Sequence, residues 1–315
     1  MKMMKWLAMF TALSFILAAC SGQNKTSSAE EAAHKNKKIQ INTTIFPLED
    51  FAAKIGGKYV NVQNVVPAGI EPHDYEPTIQ TMSKLTDGDI FIYNGAGLEG
   101  FADKAIDTLN QDQTMVVKAS EGIPLAEAQE EHEGQKEHHE HGDVDPHVFI
   151  DPLHSIKMAE NIKNALVKKD SSHKEYYEKN FEDLKSQIAA IDQDFKTLMK
   201  GSHKKEILVS HAAYGYWEKR YGLKQIPISG LSPSNEPTQK QLQQIINLSK
   251  KHQIRYVLFE DNVKPRVADT VKSEVGAEAL SFHNLESPSL KDISGKQDYI
   301  SLMEKNINIL KKVLQ

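Results

Sequence analysis

A long stretch without glycine or proline constrains the fold of this chain most strongly. It covers residues 155–200. Its helical pattern is interrupted once, by Asp170-Ser171-Ser172. After the interruption, apolar residues recur at alternating spacings of three and four, the period of one buried helical face. These residues are Phe181, Leu184, Ile188, Ile191, Phe195 and Leu198. We predict one continuous helix over 173–200, opened by a capping pair, Ser172 and Glu175, on the order of 40 Å long and therefore rigid.

On both sides of this helix, short β-branched stretches alternate with amphipathic ones. The predicted strands cover 39–44, 59–66, 90–93, 115–118, 206–210, 255–260 and 279–282. The predicted helices between and after them lie around 48–55, 78–85, 101–109, 238–252, 263–275 and 298–313. This alternation is typical of βα units and a mainly parallel sheet. The chain is therefore predicted to be α/β, with two lobes of mainly parallel β-sheet flanked by helices and joined by one long rigid helix.

We interpret residues 39–172 as an N-terminal α/β lobe, 173–200 as the linking helix and 201–315 as a C-terminal α/β lobe. A chain of 315 residues is long enough for two such units. Its net charge of −5 excludes a basic nucleic-acid surface, so we expect no nucleic-acid partner. The single cysteine excludes a disulfide framework and a cysteine-based zinc cluster. We expect a monomer.

The first twenty residues carry a secretion and lipidation pattern. Lys2 and Lys5 lie at the start of an apolar stretch that is too short to span a bilayer and is typical of a signal peptide. It ends in Leu17-Ala18-Ala19-Cys20, which resembles the lipobox of bacterial lipoproteins. We therefore expect a signal peptide over 1–19, then a lipidated Cys20 and a polar tether over 20–38.

The chain's 13 histidines are unevenly distributed, and several lie in a loop rich in glutamate and histidine over 127–145. This loop has no apolar periodicity, so we predict that it is solvated. Its histidines are His132, His138, His139 and His141. Two interpretations stay open at this point: auxiliary weak sites that scavenge or sense metal, or a spacer without effect on metal uptake.

Other polar residues follow predicted strands. His73 comes after 59–66, His211 directly after 206–210 and Glu286 shortly after 279–282. Ligands of parallel α/β sheets bind beyond the carboxyl ends of the strands, so residues of both lobes could meet in the cleft between them. Imidazoles with one carboxylate favour zinc, because manganese and calcium prefer oxygen-rich sites. His283 is an alternative to Glu286, and the pattern alone does not decide between them.

Four segments resemble the zinc- and manganese-specific solute-binding lipoproteins of ABC importers. The first is GIEPHDYEPT at 69–78, followed by DIFIYNG at 89–95. The second is DPHVFIDP at 145–152, and the third is SHAAYGY at 210–216. Residues 280–286 occupy the place of the fourth. The resemblance runs in order from about Ile39 to the C-terminus.

This resemblance implies that His73, His147, His211 and Glu286 are the metal ligands. Manganese members of the family typically have a glutamate in place of His211, an aspartate as the fourth ligand and a short loop before the second motif. The chain therefore resembles the zinc-uptake branch. The implied function is that of a lipoprotein on the extracytoplasmic face of a bacterial cell membrane, which captures Zn²⁺ with high affinity and delivers it to a permease driven by a cytoplasmic ATPase.

Two alternatives belong to other functional classes. One is a manganese-binding or adhesion-type member of the same family. The other is a zinc-dependent hydrolase, in which three protein ligands and a water molecule bind the metal. If Glu286 is not a ligand, it becomes a candidate base of such a hydrolase. Four protein ligands predict no catalytic water and therefore no enzyme.

Overall fold

Two parallel β-sheets form the frame of the protein. The structure is a computed structural model that describes residues 38–127, 144–261 and 266–315. These residues belong to one compact unit, Lys38–Gln315. In that unit each sheet has four strands, and every pairing within a sheet is parallel. The prediction of an α/β fold with two parallel-sheet lobes is therefore confirmed.

The first sheet is built by the N-terminal half of the chain, before residue 174, and has the strand order β2-β1-β3-β4. Its strands are β1 Ile39–Thr43, β2 Val60–Asn64, β3 Ile90–Tyr93 and β4 Met115–Lys118. The helices between them are α1 Phe46–Gly56, α2 Ile79–Thr86 and α3 Ala102–Thr108. All of these elements were predicted, because each combines a clear apolar period with polar or glycine-containing boundaries.

Two consecutive helices connect the sheets, α4 Pro152–Lys169 and α5 Lys174–Gly201. Asp151 caps α4 by accepting from the backbone N–H groups of Leu153 at 2.8 Å and His154 at 3.1 Å. The predicted capping pair at the start of α5 is wrong. Ser171–His173 forms a short 3₁₀ turn, and the Ser172 hydroxyl donates to Asp170 instead.

The long helix α5 packs against other helices along its apolar face. Its buried residues are Tyr177, Phe181, Leu184, Ile188, Ile191, Asp192, Phe195 and Met199. The face lies against α4, α1 and the last helix of the chain. The predicted long helix is therefore present, and its stripe contributes to the largest apolar core, which contains residues of both halves.

The second sheet is built by the C-terminal half, after residue 201, and has the strand order β6-β5-β7-β8. Its strands are β5 Glu206–Val209, β6 Lys224–Pro227, β7 Tyr256–Phe259 and β8 Glu278–Ser281. Its helices are α6 Gly215–Tyr221, α7 Gln239–Lys251, α8 Arg266–Val275, α9 Leu290–Ser294 and α10 Tyr299–Val313. The sequence did not predict β6, α6 and α9, because these short segments lack a clear apolar or β-branched pattern, and β6 also contains a proline.

The last helix, α10, returns to the N-terminal half. Lys54 of α1 forms an ion pair with the α10 cap residue Asp298 at 2.8 Å. The Tyr299 hydroxyl donates to the carbonyl oxygen of Phe149 at 3.1 Å, and its ring packs against Phe51. Contacts from α10 therefore add to those of α5 in joining the halves. Within the described ranges, no helix is both long and apolar enough to cross a membrane.

Candidate metal centre

The structure brings together His73, His147, His211 and Glu286. One side-chain ligand atom of each residue lies within 4.8 Å of those of the other three. Two of the residues come from the N-terminal half and two from the C-terminal half. His147, His211 and Glu286 are buried, whereas the His73 side chain keeps 10% of its exposure.

Four of the six separations between the candidate ligand atoms are close to the edges of a small tetrahedron. The Nε2 atoms of His73 and His147 are 3.3 Å apart. Glu286 Oε1 lies 3.5 Å from His73 Nε2, 3.0 Å from His147 Nε2 and 3.6 Å from His211 Nε2. A tetrahedral zinc ion with ligands at 2.0–2.1 Å requires edges of about 3.3 Å. The geometry therefore fits one zinc-sized cation held by three nitrogens and a carboxylate.

His147 is positioned by a carboxylate close to it in sequence. Asp145 Oδ1 accepts from the backbone N–H of His147 at 2.9 Å and lies 2.7 Å from its Nδ1. If Nδ1 donates to Asp145, the lone pair of Nε2 faces the other site residues. Gly215 of α6 lies against this carboxylate, because a Cβ atom there would be 2.5 Å from Asp145 Oδ2.

His211 has an equivalent partner that is distant in sequence. Glu260 Oε1 lies 2.7 Å from His211 Nδ1 and also accepts from the Ser210 hydroxyl at 2.5 Å. Both side chains are buried. The same tautomer argument therefore places the lone pair of His211 Nε2 toward the site.

Glu286 is presented by a tight turn after β8. Leu285 has a positive φ of 71°, and its N–H donates to His283 Nδ1 at 2.7 Å. Asn284 Oδ1 accepts from the N–H of Glu286 at 3.1 Å. The backbone oxygen of Glu286 accepts from Phe46 at the start of α1 at 3.0 Å.

His283 lies outside the cluster. Its Nδ1 is used in the turn described above, and its Nε2 lies 3.5 Å from Asp292 Oδ2. The side chain therefore orients the turn that carries Glu286. Of the two alternatives left open by the sequence, the structure brings Glu286 to the three histidines.

His73 differs from His147 and His211, because the described contacts place no carboxylate at its Nδ1. It lies on the loop between β2 and α2, and its N–H donates to Glu71 Oε1 at 3.2 Å. Hydrogen bonds tie this loop to the C-terminal half. The N–H of Gly69 donates to Ser287 Oγ at 2.9 Å, and the Ser234 hydroxyl donates to Asp74.

The buried ionisable groups of the cluster shift each other's pKa values. Burial by itself raises the pKa of Glu286, but the three imidazoles outweigh it, and the pKa lies well below its ordinary value. Burial lowers the pKa of His147, whereas Asp145 and Glu286 raise it, with a net rise. The pKa of His211 is likewise raised well above its ordinary value, because Glu260 and Glu286 outweigh burial. Burial and the charge of Glu286 raise the pKa of Glu71 to about 9.

Several ligand atoms have no hydrogen-bond partner within the described residues, although they are buried. They are Nε2 of His211 and both carboxylate oxygens of Glu286. Burying such atoms without a hydrogen bond costs free energy, and a cation bound between them offsets that cost. The cluster is therefore suited to a cation by its chemistry as well as by its spacing.

Other predicted site residues lie outside the described residues. They are Cys20, His132, His138, His139 and His141. Conversely, sequence reasoning assigned no role to Asp145, Glu260 or Asn284, which support the cluster. Two signals were available. Asp145 lies two residues before His147, and Glu260 ends a predicted strand.

Three histidines and a glutamate gathered between two parallel α/β sheets joined by a long helix define a metal-binding solute-binding protein. Residues 41–313 match the family ZnuA, described as zinc-uptake complex component A, periplasmic. The chain belongs to this family. The sequence prediction of the family is thereby confirmed.

Relatives with similar sequences and structures are named for zinc. The high-affinity zinc uptake system protein ZnuA of Bacillus subtilis is 35% identical over 314 residues, which cover 98% of each chain. The zinc-binding lipoprotein AdcA of Streptococcus pneumoniae is 33% identical over 302 residues, 95% of this chain but 58% of AdcA. The Zn(II)-bound ZnuA-like domain of that organism's AdcA has a TM-score of 0.73 and 32% identity, covering 88% of this chain and 99% of the domain.

Proposed function

We propose that this protein captures Zn²⁺ outside the cytoplasm and delivers it to a membrane permease for uptake. The observation that carries the proposal is the spacing of 3.0 to 3.6 Å between Glu286 Oε1 and the three imidazole Nε2 atoms. In this proposal His73, His147, His211 and Glu286 are the four ligands. Zinc is the cargo of the protein.

The composition of the site supports zinc over manganese. Neutral imidazole nitrogens suit zinc, whereas manganese prefers oxygen-rich sites with more ligands. Four protein ligands also complete the usual tetrahedral zinc shell, which leaves no open position for a catalytic water. The first property favours zinc over manganese, and the second favours binding and transport over hydrolysis.

The partners follow from the class of protein. Membership in a zinc-uptake complex implies an ABC permease with its cytoplasmic ATPase as the receiver of zinc. We propose that a lipid on Cys20 anchors the monomer to the extracytoplasmic face of the cell membrane. The printed description of AdcA as a zinc-binding lipoprotein supports this anchor.

The histidines of the 127–145 loop are proposed as auxiliary weak zinc sites. Imidazoles and carboxylates are both zinc ligands, and we infer that the interleaved ones of this segment bind zinc weakly and exchangeably. In this proposal His132, His138, His139 and His141 raise the local zinc concentration near the tight site. They do not replace any of its four ligands.

The proposal is tested with the soluble form that begins at Ser21. Metal content and competitive affinity are measured for wild type and Glu286→Ala, with Asp261→Asn as a control that removes a charge from an exposed neighbour of the site. We expect one tightly bound zinc that excludes manganese, and a large loss of affinity in Glu286→Ala alone. Tight manganese binding, or unchanged zinc affinity in Glu286→Ala, would contradict the assigned metal or the assigned fourth ligand.

The uptake role needs a cellular test. Cells that lack the protein should grow poorly under zinc chelation, and the full-length chain should restore growth whereas Glu286→Ala should not. A Cys20→Ala variant tests the anchor, because it should leave the membrane fraction. Growth that does not depend on the protein would contradict a role in zinc uptake.

A further inference from the structure

Glu260 lies between the two segments of the C-terminal half that supply the metal site. It directly follows β7, and β7 lies between β5 and β8 in the second sheet. β5 leads to His211, and β8 leads to the turn that carries Glu286. The Glu260 side chain is buried, with 4% exposure of the residue, at the carboxyl edge of the sheet.

The carboxylate of Glu260 connects both segments by hydrogen bonds. Its Oε1 lies 2.7 Å from His211 Nδ1. Its Oε2 accepts from Asn284 Nδ2 at 3.2 Å, and Asn284 Oδ1 in turn accepts from the N–H of Glu286 at 3.1 Å. The result is one continuous chain of hydrogen bonds from His211 through Glu260 and Asn284 to Glu286.

We propose that Glu260 is a positioning residue that couples His211 and Glu286, so that the two ligands adopt their metal-binding arrangement together. The inference rests on the proposed function, because it concerns the same zinc site. It assigns to Glu260 an effect on a second ligand, Glu286, that it does not touch. A carboxylate that oriented His211 alone would have no such effect.

A carboxylate is required at this position because only donors converge on it. Ser210, His211 and Asn284 all point N–H or O–H groups toward its two oxygens. A carboxylate accepts at both oxygens, whereas a glutamine amide accepts at one and donates at the other. Glutamine could therefore keep its bond to His211 or its bond to Asn284, but it would lose one of them.

The bond to His211 also fixes the tautomer of the ring. When Nδ1 donates to Glu260, Nε2 presents its lone pair to the metal, and this orientation is worth about 10–100-fold in affinity at other metal sites. The bond to Asn284 holds the turn before Glu286 in register with that ring. Loss of Glu260 therefore disturbs two ligands by one substitution.

The test is a double-mutant cycle in the soluble form that begins at Ser21. Zinc affinity is measured by chelator competition for Glu260→Gln, Asn284→Ala and the double variant, with Asp261→Asn as the matched charge control. We expect Glu260→Gln to weaken zinc about 10–100-fold and Asn284→Ala about threefold to tenfold. The double variant should bind about as tightly as Glu260→Gln alone, because both substitutions break the same chain of bonds.

A second double-mutant cycle tests whether the coupling is confined to the C-terminal half. Asp145→Asn disturbs His147, which is outside the chain of hydrogen bonds. The loss of zinc affinity in Asp145→Asn should therefore multiply with the loss in Asn284→Ala. Nitrogen-15 spectra of the metal-free, histidine-labelled protein are recorded at a pH at which His211 is neutral. They should show that His211 loses its Nδ1–H tautomer in Glu260→Ala, which has no acceptor for this bond, and keeps it in Asn284→Ala. A destabilised but correctly positioned site would not change this tautomer.

Three results would overturn the coupling. They are a Glu260→Gln affinity equal to that of Asp261→Asn, losses of affinity that multiply fully in the Glu260→Gln, Asn284→Ala double variant, and a His211 tautomer that is unchanged in Glu260→Ala. If Glu260→Gln fails to fold, Asn284→Ala still tests the inference, since a variant with wild-type zinc affinity would contradict it. Failure of the wild-type protein to bind zinc would instead overturn the proposed function, so the two failures are distinguishable.

Discussion

The two halves of the molecule hold their metal-site residues in different ways. In the N-terminal half, Asp145 fixes His147 from two residues away, and both described hydrogen bonds of its carboxylate go to that one residue. In the C-terminal half, Glu260 fixes His211 across 49 residues and is also linked to Glu286. The first arrangement is local and serves one ligand. The second arises from strand order and serves two.

This difference suggests that the halves contribute unequally to affinity. His73, on a loop of the N-terminal half, keeps some exposure and has no carboxylate at its Nδ1 in the described contacts, whereas its Nε2 faces Glu286. The ligands of the C-terminal half are buried and share one network. We infer that the C-terminal pair is the more rigid part of the site and that the N-terminal pair tolerates change better.

The largest expected effect is the loss of zinc affinity in His211→Ala, which is compared with the loss in His73→Ala. Loss of the buried His211 should weaken zinc about 100-fold or more, because it removes one of four bonds of a site whose total binding energy is large. His73→Ala should lose less, since water can reach a side chain that keeps 10% exposure and take its place. Chelator competition measures both constants. Equal losses would break the comparison between the halves.

The next effect is the dependence of affinity on pH. The pKa values of His147 and His211 are raised. Each ring therefore stays positively charged in the metal-free protein to a higher pH than an ordinary histidine does. Zinc binds neutral imidazole, so binding must release these protons. Zinc affinity should therefore fall by more than about tenfold per pH unit on acidification from pH 7.5 to 5.5. Calorimetry in buffers of different ionisation enthalpy counts the protons, and no release would contradict the raised pKa values.

His147, His211 and Glu286 also determine how the stability of the metal-free protein changes with pH. A histidine whose pKa is raised by folding stabilises the metal-free protein fully below its unfolded pKa of about 6.5. This stabilisation is lost as pH rises through the folded pKa. The lowered pKa of Glu286 stabilises it above the unfolded value, and that stabilisation is lost as pH falls through the folded pKa. The rise in melting temperature on adding zinc should therefore be larger at pH 7.5 than at pH 5.5.

A smaller effect is expected for Asp145→Asn. It removes the carboxylate partner of His147 and should weaken zinc about tenfold, at the low end for such partners. Because Asp145 contacts only one ligand, the loss should be smaller than that of Glu260→Gln. The two variants are compared by chelator competition at one pH. A larger loss in Asp145→Asn would reverse the order of the two halves.

The smallest effect on the tight site is expected for deletion of residues 128–143. Glu127 and Val144, at the ends of this segment, form an antiparallel β-bridge, so a short glycine linker can join them. The tight zinc should keep its affinity, whereas additional weakly bound zinc should be lost with the loop histidines. Metal titration followed by mass spectrometry counts both classes. Unchanged stoichiometry and unchanged growth under chelation would identify the loop as a spacer.

The sequence predicted most of the fold because periodic patterns are local. The seven predicted strands and the long helix α5 are present, with boundaries that differ by a few residues. The edge strand β6 and the short helices α6 and α9 were missed. Their residues are fixed by pairing and packing, as when Lys224 of β6 pairs with Glu206 of β5.

The candidate ligands were predicted from the residues and from the family resemblance. His73, His147 and His211 stand in long motifs, and the structure places their side chains together. For the fourth position the sequence predicts Glu286 and leaves His283 as an alternative. The turn at Leu285, with its positive φ, sends the two side chains to different neighbours. A backbone angle of this kind does not follow from residue types alone.

The sequence by itself therefore determined the α/β class, the long helix, the family and three histidines of the candidate site. Each of these depends on periods or motifs within short segments of the chain. The tertiary structure decided the fourth member of the cluster, its spacing of 3.0 to 3.6 Å from the imidazoles and the role of Glu260. The physical reason is strand order, because pairing β7 between β5 and β8 brings together side chains that are far apart along the chain.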